Sequence, residues 1–121
     1  AEAERAAEVA RSVEESRAVP DFGELPEALA RRLGPMDRHP GVALRFEQVE
    51  RLHAELAQEV AQRGTLRGLF GRGQREERIG QLRDALHTAL RNLEAEVSRA
   101  QPGRLFNVAP FLASLDQGVG D

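Results

Sequence analysis

The densest run of chemistry-bearing residues in the chain is Gly64-Thr65-Leu66-Arg67-Gly68-Leu69-Phe70-Gly71-Arg72-Gly73. Its four glycines permit backbone conformations that point successive amides at one anion, and its arginines can clamp that anion from the side. From Arg63 to Arg78, five arginines stand against Glu76 and Glu77, a local excess of +3 in a chain of formal net charge -3. Leu66, Leu69 and Phe70 place apolar groups among those charges, the mix expected of a tip that docks on a protein partner or an anionic membrane surface. The expected contact residues are Arg63, Arg67, Leu69, Phe70, Arg72 and Arg75. The glycine spacing fits neither the dinucleotide fingerprint nor the phosphate loop, and the latter also needs a lysine that the chain lacks. The plainer alternative, which we prefer, is that Leu69 and Phe70 fold back to cap a bundle while the glycines turn the chain.

Three histidines complete the inventory. His87 follows Asp84 by three residues and Arg83 by four, so on a helix a carboxylate lies beside an imidazole at the edge of an apolar stripe. The stretch His87-Thr88-Ala89-Leu90-Arg91-Asn92-Leu93 resembles the motif of histidine phosphotransfer domains, small acidic bundles that carry a phosphate on an exposed helical histidine. That resemblance implies a phosphohistidine carrier using His87. The basic residue and glycine expected just after the histidine are absent, so an ordinary interface-edge histidine is the favoured alternative and no family is assigned. His53 falls on a heptad seam, where a polar group sets helix register more often than it performs chemistry. His39, between Arg38 and Pro40, has no neighbour suited to catalysis, and the spacing of the three excludes a metal pair on one helix.

All 17 basic residues are arginine, and Cys, Tyr and Trp are absent. A thiol nucleophile, a Schiff-base lysine, a phenolic acid and a cysteine-based metal site are thereby excluded. The scarcity of residues with AT-rich codons points to a GC-rich bacterial genome. Glu14 with Glu15 and Glu76 with Glu77 read as solvated faces, and none of Ser12, Ser16, Thr65, Thr88, Ser98 and Ser114 sits in a nucleophile elbow. We therefore expect no catalytic residue, cofactor, metal or small-molecule substrate.

The elements that must position these residues are helical. Ala and Leu dominate the apolar set, aromatics make up only 4%, and no run alternates as a strand would. The spacing predicts a helix over 1–18 with the stripe Ala3, Ala6, Ala7, Ala10 and Val13, either completing the bundle or protruding toward an oligomer interface. A short helix follows, from Pro26 in its first turn to Gly34, with Leu25, Leu29 and Leu33 inward and Phe22 beside its start. Two long helices, 41–63 and 74–100, carry the stripes Val42, Phe46, Val49, His53, Leu56, Val60 and Ile79, Leu82, Leu86, Leu90, Leu93, Val97. Glu47 with Arg51 and Glu59 with Arg63 are spaced to pair along the first of them. Joined by residues 64–73, these helices should form an antiparallel hairpin. The tail, with Leu105, Phe106, Val108, Phe111, Leu112 and Leu115, starts a short helix at Asn107 or Ala109 and stops near Asp116 and Gly118. It either docks on the hairpin or serves another protein.

The expected fold is thus all-α: a helical bundle built on a long hairpin with a short helix and a docked C-terminal segment, residues 1–121 forming one domain. The expected function is that of a non-enzymatic protein-interaction or scaffolding module that self-associates as a homo-oligomer, in part through coiled-coil-like seams. Anionic lipid at the 63–78 tip is a second possibility and nucleic acid a weaker one, because the aromatic interleaving of single-strand binders is missing. No apolar stretch is long enough for a membrane span or signal core, so a cytoplasmic location is the default expectation. The absence of an initiator Met fits removal of an upstream segment.

Overall fold

Leu25, Leu29 and Leu33 share one face at helical spacing, and Pro26 lies in the first turn, where its missing N–H costs nothing. They open the first helix of a computed structural model that describes residues 18–63, 65 and 71–120. Four α-helices follow in chain order: α1 Leu25–Leu33, α2 Pro40–Gln62, α3 Arg72–Ala100 and α4 Ala109–Val119, with single 3-10 turns at Phe22–Glu24 and Gly34–Arg38. Every regular element among the described residues is helical. The expected N-terminal helix and the tip residues Gly64, Leu66, Arg67, Gly68, Leu69 and Phe70 lie outside the described residues.

The long helices α2 and α3 pack closely as an antiparallel hairpin, because each carries a stripe that only the other is near enough to cover. Val42, Val49 and Leu56 of α2 meet Ile79, Leu82, Leu86, Leu90, Leu93 and Val97 of α3 in one core cluster. Each such side chain contributes about 1.5–3 kcal/mol on burial. α1 and α4 pack on the hairpin and on each other, adding Leu25, Leu29, Leu33, Val108, Phe111 and Leu115.

Several details depart from the sequence reading. α3 begins at Arg72, so Arg72 and Gly73 are helical rather than part of the connection, and the left-handed turn falls on Gly71 at φ 72°. Glu59 and Arg63 do not serve one another: Arg63 binds Glu76 and Glu59 binds Arg75, because long side chains on α2 reach the facing helix at this end. α4 continues past the expected stop to Val119, since Gly118 still packs against Phe22. Leu105 is 100% exposed instead of buried. Burial alternates along Arg104–Val108, with 104, 106 and 108 toward the bundle, and this parity turns Leu105 and Asn107 outward.

The approach to α4 is fastened by polar contacts. Glu94 of α3 accepts the Val108 N–H at 2.9 Å and Asn107 Oδ1 the Ala109 N–H at 2.9 Å, which places a carboxylate at the positive start of α4. Arg104 donates to the Arg32 and Leu33 carbonyls at 2.9 Å each, serving the last turn of α1. No described helix is long and apolar enough to cross a membrane.

Candidate functional site

The hairpin end that held the expected contact residues is built around guanidinium forks. Arg63 lies just past α2 and donates from Nε and Nη2 to the two carboxylate oxygens of Glu76, both at 2.9 Å. Its Nη1 donates to the Val119 carbonyl at 3.0 Å, so one side chain ties α2 to α3 and to the end of α4. Arg75 donates to Glu59 at 3.4 Å and to Gln62 at 3.1 Å, and Arg78 pairs with Glu55 at 3.5 Å. Two of the carboxylates that meet these arginines come from α2, outside the window whose charge excess the sequence displays. Positive charge that looked available to an anion is therefore largely matched within the hairpin.

Of the six expected contact residues, Arg63 and Arg75 are engaged inside the bundle, and Arg72 stands exposed at the first position of α3. Arg67, Leu69 and Phe70 lie outside the described residues. Arg63, Arg72, Glu76, Ile79, Gly80, Arg83 and Val119 line an open concavity beside this end. Replacing Arg63 with Ala should cost about 1 kcal/mol, the scale of a partly exposed ion pair plus one hydrogen bond. A urea titration checks it, and an unchanged midpoint would mean the fork is slack in solution.

His87 is exposed on α3 in a shallow concavity with Arg83, Asp84 and Thr88. Arg83 is turned away toward α4, donating to Asp116 Oδ1 at 2.7 and 3.1 Å. This hydrogen bond and the Asp116 charge hold the Arg83 pKa above the ordinary arginine value. Stability from a raised pKa is lost only as pH rises through it, here beyond the working range, so Arg83 stays cationic. His53 is 8% exposed and donates from Nε2 to the Phe22 carbonyl at 2.6 Å, with the Phe22 ring centroid 4.6 Å from its own. It fastens the 3-10 turn before α1 to the hairpin. His39 occupies the N-cap position of α2 in extended backbone and is exposed. Among the described residues no group of three His, Cys, Asp or Glu is placed to hold a metal.

Two surfaces escaped the sequence reading. The first is a row on α3, Gln81, Ala85, Thr88, Asn92 and Ala95, at spacings of four, three, four and three. All are exposed and uncharged on a helix otherwise crowded with Arg, Asp and Glu. Leu44 of α2, 57% exposed, lies level with the Asn92 turn, as the facing of Gly41 with Glu96 and of Glu55 with Arg78 sets the register. The periodic lack of charge was the available signal. The second is a concavity of about 310 Å³ lined by Ala18, Pro20, Glu24, Ala28, Arg31, Arg32 and Phe111, with the Arg32 guanidinium 5.3 Å from the Phe111 ring centroid. It assembles from segments far apart in the chain and left no local pattern.

Comparison of the chain with protein-family models, with curated proteins and with solved structures gives no match.

Proposed function

We propose that the chain is a non-enzymatic helical interaction module that self-associates through the uncharged row of α3, copy against copy. The observation that carries this reading is the exposed and uncharged row Gln81, Ala85, Thr88, Asn92 and Ala95 on α3. With 31% of residues charged, most faces of the molecule could meet a second copy only by desolvating or opposing charged groups. A face without charge is where two copies meet without that penalty, and under two-fold symmetry the same row serves both partners. Small side chains let helix axes approach to the ~8 Å end of the usual range. Ala85 and Ala95 supply apolar area, and Gln81, Thr88 and Asn92 supply hydrogen bonds across the contact. Arg72, with Arg67, Leu69 and Phe70, forms the second and more polar contact surface of this reading, for a protein partner.

Light scattering and sedimentation on the whole chain test the proposal. The expected mass is that of an oligomer which dissociates on dilution, and the double substitution Ala85→Arg with Ala95→Arg should give a monomer. Both positions are exposed, so the fold should change in stability by no more than about 0.5 kcal/mol. A wild-type chain that is monomeric at every concentration would remove the reading. So would a variant that assembles as the wild type does.

A further inference from the structure

We infer that the second copy runs antiparallel along α3, with the two-fold axis at Thr88, so that Glu77 of each copy faces Arg99 of the other and Asp84 faces Arg91. The inference rests on self-association through the α3 row and adds the direction in which the partner runs. Glu77 and Arg99 close that row at its two ends. Each stands eleven residues from Thr88, or about three turns, so both continue the line of the row itself. Asp84 and Arg91 are seven residues apart, about two turns, and border the row on the same side. All four are exposed. Glu77 and Asp84 carry no salt bridge among the described residues. Arg91 and Arg99 pair along their own helix with Glu94 and Glu96, and their side chains stay 52% and 72% exposed.

The charges select the direction. In a two-fold pair of parallel helices each level meets itself, so Glu77 would oppose Glu77 and Arg99 would oppose Arg99. Reversing one helix about Thr88 replaces both repulsions with attractions. The same reversal brings Gln81 level with Ala95 and Ala85 level with the Asn92 turn. A two-fold axis lying in the interface keeps each edge of the row on its own side, so Asp84 meets Arg91 along one edge. The charged ends lie about 16 Å from the axis, and contact over that length needs helix axes in the shallow class of about 20° rather than the steeper one. Exposed ion pairs contribute little to affinity; across an interface their effect is to fix orientation and register. The uncharged middle of the row makes the contact, and its charged ends decide which way the partner lies.

Sedimentation equilibrium on the whole chain, read as a dimer Kd, tests the direction. Glu77→Arg turns two symmetric attractions into repulsions and should weaken association on the order of tenfold, although it brings the net charge of -3 closer to zero. Combining it with Arg99→Glu restores both contacts at the wild-type net charge, and the Kd should return to within about threefold of the wild type. Cross-linking gives a second measurement, because the chain has no cysteine of its own. Gln81→Cys mixed with Ala95→Cys should form a disulfide-linked dimer under mild oxidation, and Gln81→Cys alone should not. All four positions are exposed, so the bundle stays intact, as unchanged thermal midpoints would verify. A Kd that Glu77→Arg leaves unmoved or tightens overturns the antiparallel arrangement. So does a double variant that stays weak, or Gln81→Cys that cross-links by itself, and each of these leaves self-association standing. A wild-type chain that is monomeric at every concentration removes self-association, and this inference with it.

Discussion

Replacing Phe111 with Ala should lower the stability of the chain by about 3–5 kcal/mol. The ring is fully buried on α4, packs in the same core cluster as the α1 and hairpin leucines, and lies under the Arg32 guanidinium. Its removal forfeits the transfer energy of a large apolar group and leaves a cavity where helices from both ends of the chain meet. Total stability for a domain of this size is about 5–15 kcal/mol, so the loss is a large fraction of the whole. The thermal midpoint should fall on the order of 15 °C. Leu105→Ala is the control, since that side chain is wholly in solvent and its change should stay within about 0.5 kcal/mol. Urea and thermal melts of the two variants decide between two roles for the tail. A small effect at Phe111 would show that α4 docks too weakly to belong to the fold and is a segment kept for a partner.

The long helices were legible because their apolar residues repeat at three and four with no competing pattern, and Ile79 to Val97 is buried as that repeat requires. Turn chemistry was legible at the short helix, from Pro26 to Gly34. Parity was not: an apolar run over 105–115 suggests uniform burial, and only the extended approach to α4 reveals that 105 faces out. The arginines misled for a related reason. A charge count along the chain treats Arg63 to Arg78 as one patch, yet their partners Glu55 and Glu59 come from the antiparallel neighbour. Partners brought together by the hairpin have no local signature. The concavity over Phe111 was invisible on the same grounds, since Ala18, Ala28 and Phe111 are neighbours only after folding. The uncharged row of α3 was readable in principle, and attention to apolar residues alone hid it.

Glycine to alanine at position 118 should be destabilising, against the ordinary helix preference, by about 1–3 kcal/mol. Within a helix this change usually gains about 0.5–1 kcal/mol, because glycine loses the most backbone freedom on folding. Position 118 is different because an added Cβ would fall on the Cβ and Cγ of Phe22. Those atoms are the root of the side chain, and a rotamer change does not clear them; the backbone of the 3-10 turn has to move. That backbone is held, since the Phe22 carbonyl accepts the His53 N–H at 2.6 Å. Moving it leaves a mostly buried imidazole donor poorly matched, at a cost of about 1–3 kcal/mol if the bond is lost outright. Gly80, inside α3 with nothing near its absent Cβ, is the matched comparison, and Gly80→Ala should raise stability by the usual helix increment. Urea midpoints moving in opposite directions for the two substitutions would place the joint between α4 and the start of α1 at Gly118 and Phe22. If both variants gain stability, α4 does not approach Phe22 in solution as closely as this packing requires, and the His53 contact would have to be held by something else.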